Sequence, residues 1–281
     1  MFSTLISATD LAAHLQRVDW LVVDCRSDLL QPTAGEAAYV ASHIPGAVYA
    51  HLDRDLASAI TPSTGRHPLP DPQQFAATLG RWGLQPHTQV VAYDADTGAY
   101  AARLWWLLRW VGHRKVAVLD GGFKAWTAAG LPTTQEKTHR IASNYAVAAD
   151  RSAWLDASQV AANVASNDWR LLDARAPERF AGKVEPIDPV AGHVPGARNH
   201  PFALNLTTEG RFLPASELRA RFAASQDGVD DRNTIVMCGS GVTACHLLLA
   251  LEVAGKPGAK LYAGSWSEWI RDSSRGIATE K

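Results

Sequence analysis

Cysteine is scarce in this chain: Cys25, Cys238 and Cys245 are the only three in 281 residues, and no two are spaced Cys-x-x-Cys. An odd number without that spacing argues against a disulfide framework and against a structural zinc site, and favours free thiols in a reducing compartment. Excess charge is missing as well. The formal net charge is −1, so no basic field recommends nucleic acid or an anionic membrane surface as a partner. Long apolar runs are also absent, since nowhere do about eighteen apolar residues stand together. The N-terminus, MFSTLISATDLAAHLQRVDW, lacks the charged start and continuous apolar stretch of a secretory signal. These absences lead us to expect a soluble, cytoplasmic protein that acts on a small molecule or another protein, with no metal and no cofactor.

What the chain does have is an internal repeat. Aligned on itself, it matches four times in the same order at an offset of 143 to 150 residues. Leu21-Val22-Val23-Asp24-Cys25-Arg26 answers Leu171-Leu172-Asp173-Ala174-Arg175, and His43-Ile44-Pro45-Gly46-Ala47 answers His193-Val194-Pro195-Gly196-Ala197. Val91-Ala92-Tyr93-Asp94 answers Ile235-Val236-Met237-Cys238, and Gly121 to Trp126 answers Gly264 to Trp269. Ordered self-similarity of this length means two copies of one domain. We expect copies at 1–131 and 152–281, with the polar, weakly periodic stretch 132–151 as the linker.

Within each copy, short apolar runs alternate with Ala/Leu-rich segments of helical period. Strands are expected at Leu21–Asp24, Val90–Tyr93 and Val116–Leu119, then at Leu171–Asp173, Ile235–Met237 and Lys260–Tyr262. Helices are expected at Asp10–Gln16, Gln73–Trp82 and Tyr100–Trp110, then at Ala157–Asn163, Pro214–Phe222 and Val242–Ala254. Nearly continuous apolar strands between helices predict an α/β fold, a mostly parallel sheet covered on both faces in each copy. The ten tryptophans recur at helical spacing and in matching places, a pattern of core packing rather than ligand stacking. The tail RDSSRGIATEK is polar and expected to fray.

The segment IVMCGSGVTACH, residues 235–246, runs a strand into Cys238, a tight loop to Val242, and a helix from Thr243. A thiolate there would face unpaired N–H groups and the positive end of the helix dipole, both of which favour the ionised form. Gly239 and Gly241 let the loop curl so that its amides point at one centre, a cradle for an anion on the sulfur. A cysteine phosphatase would close such a loop with an arginine, but that place holds Ala244. The spacing Gly239-x-Gly241-x-x-Ala244 hints at a dinucleotide loop, without the acidic residue that should follow. A cysteine protease needs a partner histidine, and His246 lies on the helix, facing elsewhere by periodicity. Sulfur transfer needs only an activated thiol and amides to hold a terminal S⁻. A merely buried cysteine has no use for two glycines, whereas Cys245, among Ala and Leu on the helix, reads as packing.

The duplication, the paired His-x-Pro-Gly-Ala motifs, the Gly-x-x-x-x-Trp segments and the CGSGVTAC loop together resemble the tandem rhodanese-domain sulfurtransferases over nearly the whole chain. The resemblance implies two rhodanese-like domains, the first inactive, with Asp94 where the second has Cys238. It implies transfer of a sulfane sulfur through a Cys238 persulfide, without a cofactor, to cyanide, a small thiol or thioredoxin. Gly239-Ser240 after the cysteine is similar to the mercaptopyruvate-using members, where thiosulfate-using ones carry Arg-Lys. In the former, Ser240, His67 and Asp53 would assist catalysis. Arg179 in PERFAG, with the loop residues Gly239, Gly241, Val242 and Thr243, would bind the donor. Mercaptopyruvate-using members commonly have a second arginine shortly before the second His-x-Pro-Gly motif. Here that place holds Asp188, so thiosulfate stays open as the donor, as does a non-catalytic sulfur-binding module. Asp24/Arg26 and Asp173/Arg175 recur in both copies, as do His43 and His193, and so read as scaffold.

Overall fold

The computed structural model describes residues 1–166 and 168–280, which divide into two compact units. Unit 1 comprises 1–58, 69–150 and 208–212, and unit 2 comprises 59–68, 151–207 and 213–280 among the described residues. Unit 1 runs β1 (Leu5–Ile6), α1 (Ala8–His14), β2 (Trp20–Asp24), α2 (Ala34–Ala41), β3 (Val48–Tyr49), α3 (Leu52–Asp55), α4 (Pro72–Arg81), β4 (Gln89–Tyr93), α5 (Ala101–Trp110), β5 (Val116–Leu119) and α6 (Gly122–Ala128). Unit 2 repeats the plan with β6 (Trp154–Leu155), α7 (Ala157–Ser166), β7 (Arg170–Asp173), α8 (Pro177–Phe180), β8 (Arg198–Asn199), α9 (Ala215–Gln226), β9 (Thr234–Met237), α10 (Thr243–Val253), β10 (Lys260–Tyr262) and α11 (Ser265–Trp269).

The two five-stranded sheets share one order, β1-β5-β4-β2-β3 and β6-β10-β9-β7-β8, and every pair in both is parallel. Side chains alternate across a strand, so Val22, Val91, Tyr93, Ala117 and Leu119 line one face of the first sheet with Leu11 and Trp126. Leu21, Val23, Val90, Ala92, Val116 and Val118 must then face the other way, and they are equally buried. The second sheet repeats this with Ile235, Met237 and Tyr262 against Trp266 and Trp269, and with Leu172, Val236 and Leu261 opposite. Both faces of each sheet are therefore covered, which is why the strands read as apolar runs rather than as an alternation. Trp105, Trp106, Trp110, Trp126 and Trp269 are all buried, as core packing required. Among the described residues no helix is long and apolar enough to cross a membrane.

The six expected strands and six expected helices are all present, with ends displaced by a few residues at most. Four strands that no periodicity could signal, β1, β3, β6 and β8, have two residues each.

Three expectations need correction. The first concerns the segment 132–151, expected as the linker between the copies, which up to Asp150 belongs to unit 1. Ser143 N–H donates to Gly80 O (2.9 Å), Asp150 N–H to Trp110 O (2.9 Å), and Tyr145 Oη meets His113 Nδ1 at 2.8 Å. Paired backbone and a buried tyrosine tie the strap to unit 1.

The second concerns residues 59–68, which belong to unit 2, although sequence order puts them in the first copy. Arg66 N–H donates to Ser267 Oγ at 3.0 Å. The third is the tail, which does not fray over its described length. Ala278 exchanges both backbone bonds with His193 (2.8 and 2.9 Å), and Glu280 N–H donates to Ala181 O at 3.0 Å. His43 exchanges the same pair with Thr134 in unit 1 (both 2.9 Å), so each His-x-Pro-Gly histidine pins the C-terminal extension of its own copy.

Candidate active site

The centre of the site is the turn between β9 and α10. Thr234–Met237 are buried throughout, and Ala244–Leu251 of α10 likewise, so the strand and helix are held rigidly in the core and the five residues between them must turn sharply. Gly241 takes φ +79°, and a Cβ there would run into the carbonyl oxygen of Ala263. Only glycine fits. Behind the turn stands the segment after β10: Trp266 N–H donates to Cys238 O (3.0 Å), Ser267 N–H to Gly239 O (2.9 Å), and Cys238 N–H to Ser265 Oγ (3.1 Å). Ser265 holds a left-handed φ of +53°. Its hydroxyl donates in turn to Tyr262 O at 2.9 Å.

Unit 1 clamps its own loop in the same way, with Phe123 N–H on Asp94 O (2.8 Å) and Lys124 N–H on Ala95 O (2.9 Å). That is the physical content of the repeated Gly-x-x-x-x-Trp motif. Arg26 and Arg175 support it from beneath. Each grips the aspartate two residues earlier, with closest contacts of 2.6 and 2.7 Å, and each stacks on an aromatic of the motif, Phe123 at 4.3 Å and Trp266 at 4.8 Å.

Cys238 is almost fully buried, and its sulfur accepts the Gly241 N–H at 3.1 Å. Helix α10 has no side-chain cap at its start, and in its first turn the Cys245 N–H is taken by Val242 O at 3.0 Å, so an anion on the loop would draw on the amides ahead of it. Unit 1 demonstrates what such a loop wants. The Asp94 carboxylate accepts N–H bonds from Gly98 (2.9 Å), Tyr100 (2.8 Å) and Ala101 (3.2 Å), an anion of the chain's own seated in the matching cradle. Burial pushes the Asp94 carboxyl above its usual range, and the three amides pull it back only in part. Replacing Asp94 by alanine leaves those amides facing no acceptor in a buried loop, and is expected to destabilise unit 1 by about 2–4 kcal/mol in urea unfolding. Asp94→Asn, which keeps one acceptor oxygen, should recover part of that loss.

Around Cys238, unit 2 gathers most of the residues singled out in the sequence. Ser240 is buried with its Oγ 2.7 Å from His67 Nδ1, a contact across 173 positions of sequence. Arg179, on α8, donates to Glu185 through Nη2 (2.6 Å) and Nε (3.1 Å) and to Asp188 through Nη2 (3.2 Å). Val242 and Thr243 form the start of α10. Asp53 falls in unit 1, on α3, where its N–H donates to His51 Nδ1 at 3.1 Å.

Two charged residues escaped the sequence reading. Glu185 accepts from Arg175 (3.4 Å) as well as Arg179, and its carboxylate also takes the N–H groups of Ile187 and Asp188 at 3.1 Å each. Arg66 pairs with Asp188. The available signal for Arg66 was its place next to His67. Cations and anions alternate along the chain of contacts Arg66, Asp188, Arg179, Glu185, Arg175, Asp173, three of each.

This arrangement can hold a thiolate or persulfide against the Gly241 amide, with a hydroxyl–imidazole pair and guanidinium groups close to the same loop. Comparison with known proteins points the same way. The rhodanese-like domain model matches residues 7–129 and again 156–272. A probable 3-mercaptopyruvate sulfurtransferase of Pseudomonas aeruginosa is 50% identical over 277 residues, 98% of each chain. A putative thiosulfate sulfurtransferase of Mycobacterium tuberculosis is 40% identical, with 97% of this chain and 96% of that one covered. Among solved structures, the 3-mercaptopyruvate sulfotransferase SseA from Escherichia coli superposes with a TM-score of 0.81 at 32% identity, over 95% of this chain and all of the other. With both halves matched and relatives similar from end to end, the chain belongs to the rhodanese-like domain family and carries two such domains.

Proposed function

We propose that this protein is a sulfurtransferase that takes the sulfur of 3-mercaptopyruvate and passes it to a thiophilic acceptor through a persulfide on Cys238. The Cys238 thiolate attacks the donor's sulfur. As the S–S bond forms, the C–S bond breaks and its electron pair leaves on the enolate of pyruvate, which then takes a proton at carbon. Cyanide or a thiolate next attacks the outer sulfur, the S–S bond breaks, and the Cys238 thiolate is restored. Thioredoxin or a small thiol would be the acceptor in the cytoplasm. The first domain has a carboxylate, Asp94, that cannot carry sulfur, so the work falls to the second.

The observation that carries this reading is the Gly241 N–H directed at the Cys238 sulfur at 3.1 Å, the bond an outer S⁻ or the thiolate itself would draw on. Intact-mass measurement after incubation with 3-mercaptopyruvate tests it. A single-sulfur adduct that cyanide removes is expected, and a protein that stays unmodified would exclude the persulfide. To Ser240 and His67, 2.7 Å apart, we assign delivery of the proton to the enolate. Ser240→Ala is therefore expected to lower kcat with 3-mercaptopyruvate by about 10–10²-fold and to leave thiosulfate turnover, which yields no enolate, nearly unchanged. Asp53 is assigned a supporting role from the family resemblance alone, and Asp53→Asn should lower turnover with 3-mercaptopyruvate in the same selective way.

Thiosulfate remains the second donor to consider, since one 40% identical relative carries that name. The balance of three cations against three anions beside the loop favours a donor with one negative charge over a dianion.

A further inference from the structure

The second arginine expected before the His-x-Pro-Gly motif is replaced by Asp188, yet two guanidinium groups still reach the loop. A Cβ added to Gly239 would lie 2.9 Å from Arg66 Nη2 and 3.6 and 3.7 Å from Arg179 Nη2 and Nη1. Asp188 spans the pair, one carboxylate oxygen on Arg66 Nη1 and the other on Arg179 Nη2. Its own side chain is 3% exposed, whereas those of Arg66 and Arg179 keep 21% and 15%. Glu185 takes Nε and Nη2 of Arg179. The nitrogens that these carboxylates leave unengaged, Arg66 Nη2 and Arg179 Nη1, are among those facing Gly239, one residue from the nucleophile.

We propose that Arg66 joins Arg179, the arginine that the family resemblance assigns to the donor, in receiving the donor's carboxylate, and that Asp188 is the clamp that sets their spacing and limits the site to singly charged donors. The inference builds on the sulfurtransferase reading above. Asp188 fits the clamp because a carboxylate with one oxygen on each guanidinium fixes both planes at once, and Arg geometry makes such pairs specific as well as strong. The limit on donor charge follows from neutralisation: Asp188 and Glu185 already oppose the two positive charges, so a second negative charge on the donor gains little. Burial lowers the Arg66 guanidinium below its usual value while the charge on Cys238 draws it back up, as expected for two groups that sense each other. Arg66 also sits beside His67, so one short segment of chain would bring both a donor-binding cation and the imidazole that faces Ser240.

Steady-state kinetics with 3-mercaptopyruvate and with thiosulfate test the proposal on wild type, Arg66→Gln, Arg66→Lys and Asp188→Asn. Loss of charge-assisted hydrogen bonds of this kind corresponds to about 10–100-fold, expected in KM for 3-mercaptopyruvate on Arg66→Gln, with Arg66→Lys intermediate. Single-turnover measurements should place the larger loss in loading of the persulfide from 3-mercaptopyruvate rather than in its discharge to cyanide, because the donor has already left in the second step. Asp188→Asn should shift the ratio of kcat/KM toward thiosulfate by about tenfold. An unchanged KM for 3-mercaptopyruvate in Arg66→Gln, or in Arg66→Lys should the glutamine variant not fold, would overturn the role of Arg66, and an unchanged donor ratio in Asp188→Asn would overturn that of the clamp. If wild type formed no persulfide from either donor, the sulfurtransferase reading would fail first, and that outcome is separate from all of these.

Discussion

Replacing Cys238 by alanine is expected to lower sulfur transfer by at least about 10⁴-fold with either donor, because no other group in the loop can accept and release sulfur. The fold should survive. Alanine keeps the β-carbon in its buried place, the loop's backbone bonds to Ser265, Trp266 and Ser267 do not involve the sulfur, and the bond removed is the one from the Gly241 N–H to Cys238 Sγ. The other two cysteines cannot stand in: burial pushes the Cys25 thiol well above its usual value, and Cys245 Sγ is directed at Gly241 O, 3.3 Å away. Kinetics and circular dichroism on the same preparation check both halves. Retained turnover in a folded variant would remove Cys238 from the chemistry altogether.

The second large effect is expected at Gly241. Alanine there must hold a left-handed φ of +79° while its β-carbon overlaps the Ala263 carbonyl, which lies on the segment that clamps the loop from behind. Backbone strain of about 1–3 kcal/mol and overpacking of similar size add to a destabilisation of roughly 2–6 kcal/mol. The loop can relieve this only by opening, which draws the Gly241 N–H away from Cys238 Sγ. We therefore expect a large loss of turnover alongside the loss of stability. Gly239→Ala should behave differently: no positive φ is required there, and its β-carbon meets the guanidinium ends of Arg66 and Arg179 rather than backbone, so the penalty should fall on donor binding more than on stability. Unfolding curves and donor KM values for the two variants separate these effects. Equal stability losses in the two would contradict the difference drawn here between backbone and side-chain neighbours.

Much of this protein is written locally. The duplication, the strand at Thr234–Met237, the turn at Cys238–Val242 and the helix from Thr243 could all be read from residue order, because apolar period, glycine placement and helix starts are properties of neighbours in sequence. The same holds for Asp173 and Arg175, two residues apart, whose repetition in Asp24 and Arg26 marked them as scaffold before any contact was visible. The two-residue strands could not be read, since a period needs more than one cycle to register. The stretch 132–151 read as a linker and the tail as frayed because their polar side chains carry no pattern, while what holds them is largely backbone pairing, to which composition is blind.

The composition of the site lies at the other extreme. His67 meets Ser240 across 173 positions and Arg66 meets Asp188 across 122, and no local rule connects residues so far apart. Sequence order assigned residues 59–68 to the first copy, and only the folded chain shows them packed with the second. The nucleophile, its cradle and the two-domain plan thus follow from the order of residues. Which cations stand beside the nucleophile, and which carboxylates restrain them, follows from long-range packing, where charge pairs form because folding brings them out of water together and leaves each no better partner.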